Sequence, residues 1–280
     1  MKKQTLIIMM LLAATSLSAQ NKKTDAENAG LNGKVKTIES LIYKAIDKMG
    51  TAEASYLMSR QVTHYNEQGM QTVTTYYDSL NQQIRTVTST YNNKNLLISD
   101  EVLDSVNELV YSTKLFYDDK ELLTTKVFYD NEGKLAQKNL FKYDKKGFHT
   151  ETNCFNAAGN IFEKSFYKRD KKGNPIEYTE YDGEGKLTDK SSGTYDKQNN
   201  LIKRIYYDEN GVYAHHRIFK YDGNNNVTEV AAFDESGEEV YRWDYQMIYD
   251  SKGNVIKETE FRSEAKVPYS IIISNIEYYQ

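Results

Sequence analysis

The phrase Tyr129-Asp130-Asn131-Glu132-Gly133-Lys134-Leu135 restricts what this chain can fold into more than any other part of it. It returns as Tyr181-Asp182-Gly183-Glu184-Gly185-Lys186-Leu187 and as Tyr249-Asp250-Ser251-Lys252-Gly253-Asn254-Val255. Its chemistry is that of a tight turn between antiparallel strands. The Asp carboxylate can accept from backbone N–H groups just ahead of it. Gly supplies the left-handed conformation that a type I turn with a following bulge requires. The aromatic before the turn and the aliphatic after it then face each other across the strands.

The aromatic position is occupied by Tyr65, Tyr77, Tyr91, Leu103, Tyr117, Tyr129, Tyr143, Phe155, Arg169, Tyr181, Tyr195, Tyr207, Tyr221, Phe233, Tyr249 and Phe261. Successive steps alternate between 12 and 14 residues, with one step of 16 between Phe233 and Tyr249. The period is therefore 26 residues, a short strand and a long strand with a turn after each. Where Gly is missing, Asn81, Asn95, Asn107, Asn199 and Asn225 take its place. Asn is the next residue most tolerant of a left-handed backbone. These spacings predict an all-β chain, a single antiparallel meander of roughly 18 strands that is twisted and curled. They pair Tyr129 with Leu135, Phe155 with Ile161, Tyr181 with Leu187, Tyr195 with Leu201, Tyr221 with Val227 and Tyr249 with Val255. A straight parity count puts all these pairs on one face as two rims.

From Tyr65 to Phe261 the spaced motif resembles the YD-repeat, or RHS-repeat, family, whose unit reads Tyr-Asp-x-x-Gly-[Asn/Arg/Lys]-[Leu/Ile/Val]. The resemblance implies a spiralling sheet. Large members of that family encapsulate toxins and carry a self-cleaving region after the repeats. No stretch of this chain matches that region, so the resemblance implies a small secreted member that shares the fold.

The N-terminus reads as an export signal. Lys2 and Lys3 precede the apolar run Leu6 to Leu12, and a small-residue stretch ends at Ala19. The run is too short for a membrane span, which needs about 20 residues. Residues 1–19 are the expected signal peptide, 20–32 a flexible leader, and 33–280 the repeat domain. Within that domain the first strand is expected to end near Tyr43. Lys44 to Ser55 reads as a loop with a helical turn around Ala45–Met49, and the last strand as Val267–Tyr279. Cleavage removes two lysines, so the net charge of −4 becomes −6. A mildly acidic exported protein is a poor partner for nucleic acid. The expected location is the periplasm or cell surface of a Gram-negative bacterium.

A membrane-spanning barrel needs a continuous apolar outer face. Lys138, Lys164 and Lys190 form one mid-strand column, and Glu151, Glu177, Lys203, Glu229 and Lys257 form another. Neither face suits lipid, so the chain is read as not spanning a membrane.

Site chemistry is sparse. Cys154 is the sole cysteine and reads as a buried, inert thiol. His215 and His216 are adjacent and would point to opposite faces of a strand. No metal site or cofactor motif is found, and the turn Asp222-Gly223-Asn224-Asn225-Asn226 offers too few oxygens for calcium. The carboxylates recur with the repeat, as scaffold does, whereas an active site is unique. Asp78-Ser79-Leu80 and Asp104-Ser105-Val106 resemble acceptor motifs for periplasmic O-glycosylation. The one break in the period holds Tyr241, Trp243 and Tyr245, alternate residues that share a face. The parity count adds His215, Arg217, Glu229 and Lys257 to that face. Rings beside hydrogen-bonding groups suit a sugar or a protein surface. The alternative is that Trp243 fills the inside of the curl. The expected function is a non-catalytic binding or structural module that meets a glycan or another envelope protein. The rivals are an envelope glycan-active enzyme and a ligand-free spacer.

Overall fold

Alternation every two residues, broken by Asp-led turns, leaves the chain little choice but a ladder of antiparallel neighbours, and a computed structural model has that form. It describes residues 23–262 and 266–280, so the expected signal peptide lies outside the described residues. A short helix, α1 (Asp25–Asn28), precedes strands β1 (Val35–Lys48), β2 (Thr51–Tyr65), β3 (Gln71–Tyr77), β4 (Gln83–Tyr91), β5 (Leu97–Asp104) and β6 (Leu109–Tyr117). The meander continues through β7 (Leu123–Asp130), β8 (Leu135–Tyr143), β9 (His149–Asn156), β10 (Ile161–Arg169), β11 (Pro175–Asp182) and β12 (Leu187–Tyr195). It ends with β13 (Leu201–Tyr207), β14 (Tyr213–Tyr221), β15 (Val227–Phe233), β16 (Glu239–Tyr249), β17 (Val255–Arg262) and β18 (Val267–Tyr278).

Each strand pairs with its sequence neighbours, and β18 pairs with β1 from Val35↔Tyr278 to Lys44↔Ser270. The 18-stranded sheet is therefore a closed barrel, which leaves no free edge. Closed barrels of about 16–18 strands are wide enough to hold an open lumen. Consistent with this, side-chain hydrogen bonds between strands run along the wall, as Ser89 to Asp100 and Thr63 to Thr74 do.

The turns follow one plan from Asn66 to Asp250. The leading Asp or Asn takes its N–H to the carbonyl four residues on, and its carbonyl accepts the N–H three residues on. Its side-chain oxygen accepts two further amides, as Asp130 Oδ1 does from Glu132 N at 3.0 Å and Lys134 N at 2.8 Å. The fourth residue has positive φ whether it is Gly133, Asn81 or Asn225, and Glu121 does the same at φ 62°. All six expected cross-turn pairs are present, Tyr129↔Leu135 and Tyr249↔Val255 among them.

The face assignment differs from the straight count. After each pair one extra residue is bulged, so Tyr221 opposes Val227 while Lys220 opposes Glu229. Every turn therefore flips parity. The aromatics that end long strands (Tyr91, Tyr117, Tyr143, Tyr195, Tyr221) share a face with buried Thr63, Thr74, Thr113 and Ser165. That face lines the interior. Those that end short strands, such as Tyr129, share the outer face with exposed Ile84, Val110, Phe116 and Phe162.

Two further expectations are corrected. Residues 44–55 are not a loop but the tip of a long β1–β2 hairpin, turned at Met49 and Gly50 with φ 53° and 83°. Two successive positive φ values make a two-residue hairpin turn, and Asp47 Oδ1 accepts from Gly50 N at 2.8 Å to hold it. Nor is the described part of the leader loose. Thr24 caps α1 in a reciprocal box with Glu27. Asp25 Oδ2 accepts from Gln71 N at 2.9 Å and from the Tyr91 hydroxyl at 2.6 Å. Ala26, Leu31, Val35 and Tyr65 form a small buried cluster at this end of the barrel. This end, which also carries the turns after even-numbered strands, is the capped rim.

Candidate functional site

The rings Tyr241, Trp243 and Tyr245 lie on the inner wall. β15 sets them there, since Tyr241 opposes Ala232 and Trp243 opposes Val230. Ala232 also opposes Arg217 on its other side. Because Ala232 is small and buried, the β14 and β16 side chains close over it. The Arg217 guanidinium lies 5.9 Å from the Tyr241 ring centre and 5.4 Å from that of Tyr206. Tyr206 in turn stacks on His215, with centroids 4.5 Å apart and planes 12° apart. Tyr241 and Trp243 are 4.6 Å apart. The result is a continuous strip of rings and cations along β13 to β16, each cation–ring contact worth about 0.5–2 kcal/mol.

The strip continues into β17 and β18. Arg262 sits 5.6 Å from Trp243 and 3.1 Å from Tyr269, and Lys44 lies 4.1 Å over Tyr269 from the other side. Glu260 accepts from Arg262 Nε at 2.7 Å and from Ser270 Oγ at 3.0 Å. Burial, with Glu260 beside it, raises the Glu258 carboxyl above its usual range. Burial also raises the Tyr245 hydroxyl, with Glu260 and Glu258 adding to it. His215 is pushed down by burial and by Arg217, so it favours the neutral ring. Among the described residues, Arg217 Nε is buried without a hydrogen-bond partner, as is Asp244 Oδ2 on the outer wall.

Five of the seven residues expected at this site are thus brought together, Tyr241, Trp243, Tyr245, His215 and Arg217. Two are not. Glu229 opposes Asp244 and Lys257 opposes Ile248, so both face outward. Each was assigned by counting across a turn, and the bulge in that turn reversed its face. Glu229 instead pairs with Lys220 at 3.0 Å and Arg242 at 3.2 Å on the outer wall. Tyr206, Arg262, Tyr269 and Lys44 were missed, although a count that included the bulge would have placed Tyr206 and Arg262 beside Trp243.

Elsewhere the Cys154 thiol is buried and lies 3.5 Å from Glu163, and burial pushes it up to about 12. Ser79 and Ser105 both sit in exposed turns. Among the described residues no group of His, Cys, Asp and Glu could hold a metal ion, and no helix is long and apolar enough to cross a membrane.

No family model matches the chain, and no curated protein does. Among solved structures, a porin-like protein from Bacteroides uniformis is similar at TM-score 0.44 and 11% identity, covering 88% of this chain and 98% of that one. The Photorhabdus luminescens Tc holotoxin pore is similar at TM-score 0.31 and 11% identity, with 75% of this chain spanning 15% of that one. A DUF1329 family protein from Desulfovibrio piger is similar at TM-score 0.26 and 7% identity, covering 87% of this chain and 86% of that one. At scores this low nothing about function follows from the likeness.

Proposed function

We propose that this protein is an exported, non-catalytic binding module of the Gram-negative cell envelope, a small relative of the YD-repeat proteins. It presents the aromatic inner wall around Trp243 to a glycan chain, with a protein segment as the rival ligand. The observation that carries the reading is the Arg217 guanidinium. It lies 5.4 Å from the Tyr206 ring centre and 5.9 Å from that of Tyr241, a cation set between two rings. Flat rings beside a charged group are what a sugar face and its hydroxyls engage. Export is supported by the charged, then apolar, then small-residue N-terminus. The YD-repeat kinship is supported by the turns, which share one hydrogen-bond plan. A lipid-spanning role is disfavoured by the outer wall, where Lys142, Lys168 and Lys220 pair with Glu151, Glu177 and Glu229.

Trp243 is the sole tryptophan, so its fluorescence reports on the site directly. Titration of the mature protein with envelope glycans should quench or shift that emission. Trp243→Ala should abolish binding on a glycan array, and Tyr117→Ala, in an ordinary repeat, should leave it in place. Emission that ignores every glycan but responds to peptides would make the ligand a protein. Emission that ignores both would make the strip packing alone.

A further inference from the structure

The repeat fails in one further place, and a cavity lies beside it. In β4, β6, β8, β12 and β14 the closing Tyr spends its hydroxyl on a carbonyl of the preceding strand. Tyr117 reaches Leu97 O at 2.8 Å, Tyr143 reaches Leu123 O at 2.8 Å, and Tyr221 reaches Leu201 O at 2.9 Å. At β10 the same job falls to Arg169, whose Nε donates to His149 O at 2.8 Å. Next to it, Pro175 opens β11 where Leu97, Leu123 and Leu201 open their strands. One strand further, Gly193 stands where β6, β8 and β14 carry Leu115, Phe141 and Phe219. Beside these residues, at the capped rim, lies an open cavity of about 610 Å³, with Gly193, Tyr195, Thr194, Asn174, Lys172, Lys197 and the carboxylates Asp170 and Asp196 in its lining.

The lysines around this cavity are gathered on neighbouring turns. On the wall, Lys142 pairs with Glu151 at 2.9 Å and Lys168 with Glu177 at 2.9 Å. Lys145, Lys146, Lys171, Lys172 and Lys197 are exposed on three consecutive rim turns, and among the described residues none has a carboxylate partner. Lys172 Nζ instead donates to the carbonyl of Lys197 at 3.0 Å. Each of these turns also carries one Asp that accepts from its own backbone, Asp144 from Lys146 N and Phe148 N, Asp170 from Lys172 N and Asn174 N, and Asp196 from Gln198 N and Asn200 N, so five lysines stand against three carboxylates. Neighbouring rim turns are two strands apart, a repeat of roughly 9.5 Å.

We propose that this arc and its cavity bind a linear anionic polysaccharide, one carrying a carboxylate or sulfate on successive sugars. The spaced, unpaired ammonium groups meet the charges along the chain. The cavity, with the Tyr195 ring and the Thr194 and Asn174 polar groups, takes one sugar. A flat bilayer surface has nothing to place in such a cavity. Nucleic acid would want rings on which to stack its bases, and the tips of these turns are Lys, Gln, Asn and Gly. The site is separate from the Trp243 strip and stands or falls without it.

The probe is polygalacturonate, run by affinity electrophoresis and calorimetry against the mature protein, with dextran, single-stranded DNA and phosphatidylglycerol vesicles beside it. Polygalacturonate should bind, weaken as salt screens the contact, and ignore Trp243→Ala. Replacing Lys145, Lys146, Lys171, Lys172 and Lys197 by Gln should weaken it about tenfold or more, since several exposed charge contacts go together. The control replaces Lys142 and Lys168 by Gln and should bind as wild type. Circular dichroism and thermal melting of each variant establish that it is folded. Absence of binding, indifference to the rim lysines, or an equal loss in the wall control overturns the proposal. Lysine-dependent binding to DNA or vesicles at equal strength also overturns it, because the arc would then be a general cation patch.

Discussion

The capped rim is built in two halves that solve one problem with different chemistry. The residue that closes each of its turns is Met70, Leu96, Leu122 and Phe148 in the first half, and Asn174, Asn200, Asn226 and Asn254 in the second. Met70, Leu96 and Leu122 are buried, and the Phe148 ring lies so close to Gly173 that a Cβ there would meet it at 2.6 Å. The Asn half is stitched by amides. Asn174 Nδ2 donates to Asp170 and, at 3.2 Å, to Asn199 of the next turn. Asn200 Nδ2 repeats this with Asp196 and, at 3.0 Å, with Asn225. Asn254 has no exposed surface and ties the series to Asn32 and Tyr278. The turn backbone is the same in both halves because the leading Asp or Asn and the left-handed fourth residue already determine it. The closing residue is then free to vary, but only in step with its neighbours. The chemistry changes once, between Phe148 and Asn174, and that seam is where Arg169, Pro175 and the rim cavity lie.

Exchanging the two chemistries should break each half. Leu122→Asn buries an amide among apolar neighbours and should cost about 3 kcal/mol. Asn254→Leu strands the Asn32 amide and should cost roughly 3 kcal/mol. Urea denaturation of both variants checks this, and two near-neutral results would mean that the closing position carries no weight. The seam also has a pH signature. His149 stands where Leu97, Leu123 and Leu201 open their strands, packed 4.6 Å from Tyr167 and 5.7 Å from Tyr143. Burial lowers its pKa from 6.5 to about 4. The unfolded chain therefore takes up the proton first, and stability present above pH 6.5 is lost as the pH falls toward 4. The loss is at most about 3 kcal/mol for a shift of this size. Melting temperatures across that range should fall for the wild type and flatten for His149→Leu.

Smaller effects test the shared backbone. Gly133→Val should cost about 1–2 kcal/mol by forcing a β-branched residue into the left-handed region, and Gly133→Asn much less. Equal stability of the two variants would contradict the turn. Glu121 already holds φ 62° without being Gly or Asn, so Glu121→Gly should gain about 0.5 kcal/mol. A measurable loss would assign weight to its ion pair with Lys94 at 3.2 Å.

What could be read from residues was whatever is local. Asp130 and Gly133 specify a turn by their own chemistry, so the strand count and the Tyr129↔Leu135 pairing follow from spacing. Tyr241, Trp243 and Tyr245 share one strand, so period two places them together. The misplacement of Glu229 and Lys257 arose from counting through bulges, whose extra residue leaves no mark in composition. The Met49–Gly50 turn escaped because Met seldom takes positive φ. Docking of Asp25 onto Tyr91 joins residues 66 positions apart, and no local pattern announces it.

The pairing of β1 with β18 has a consequence for how the molecule is made. The N-terminal strand waits with an open edge until the last dozen residues of the chain have emerged, since β18 spans Val267–Tyr278. Every intermediate length of nascent chain is an open sheet with two sticky margins. Tyr279 then fastens the join by donating to the carbonyl of Tyr65 at 2.6 Å. A ribosome that stops short of Val267 would release something closer to a polymer seed than to a damaged monomer.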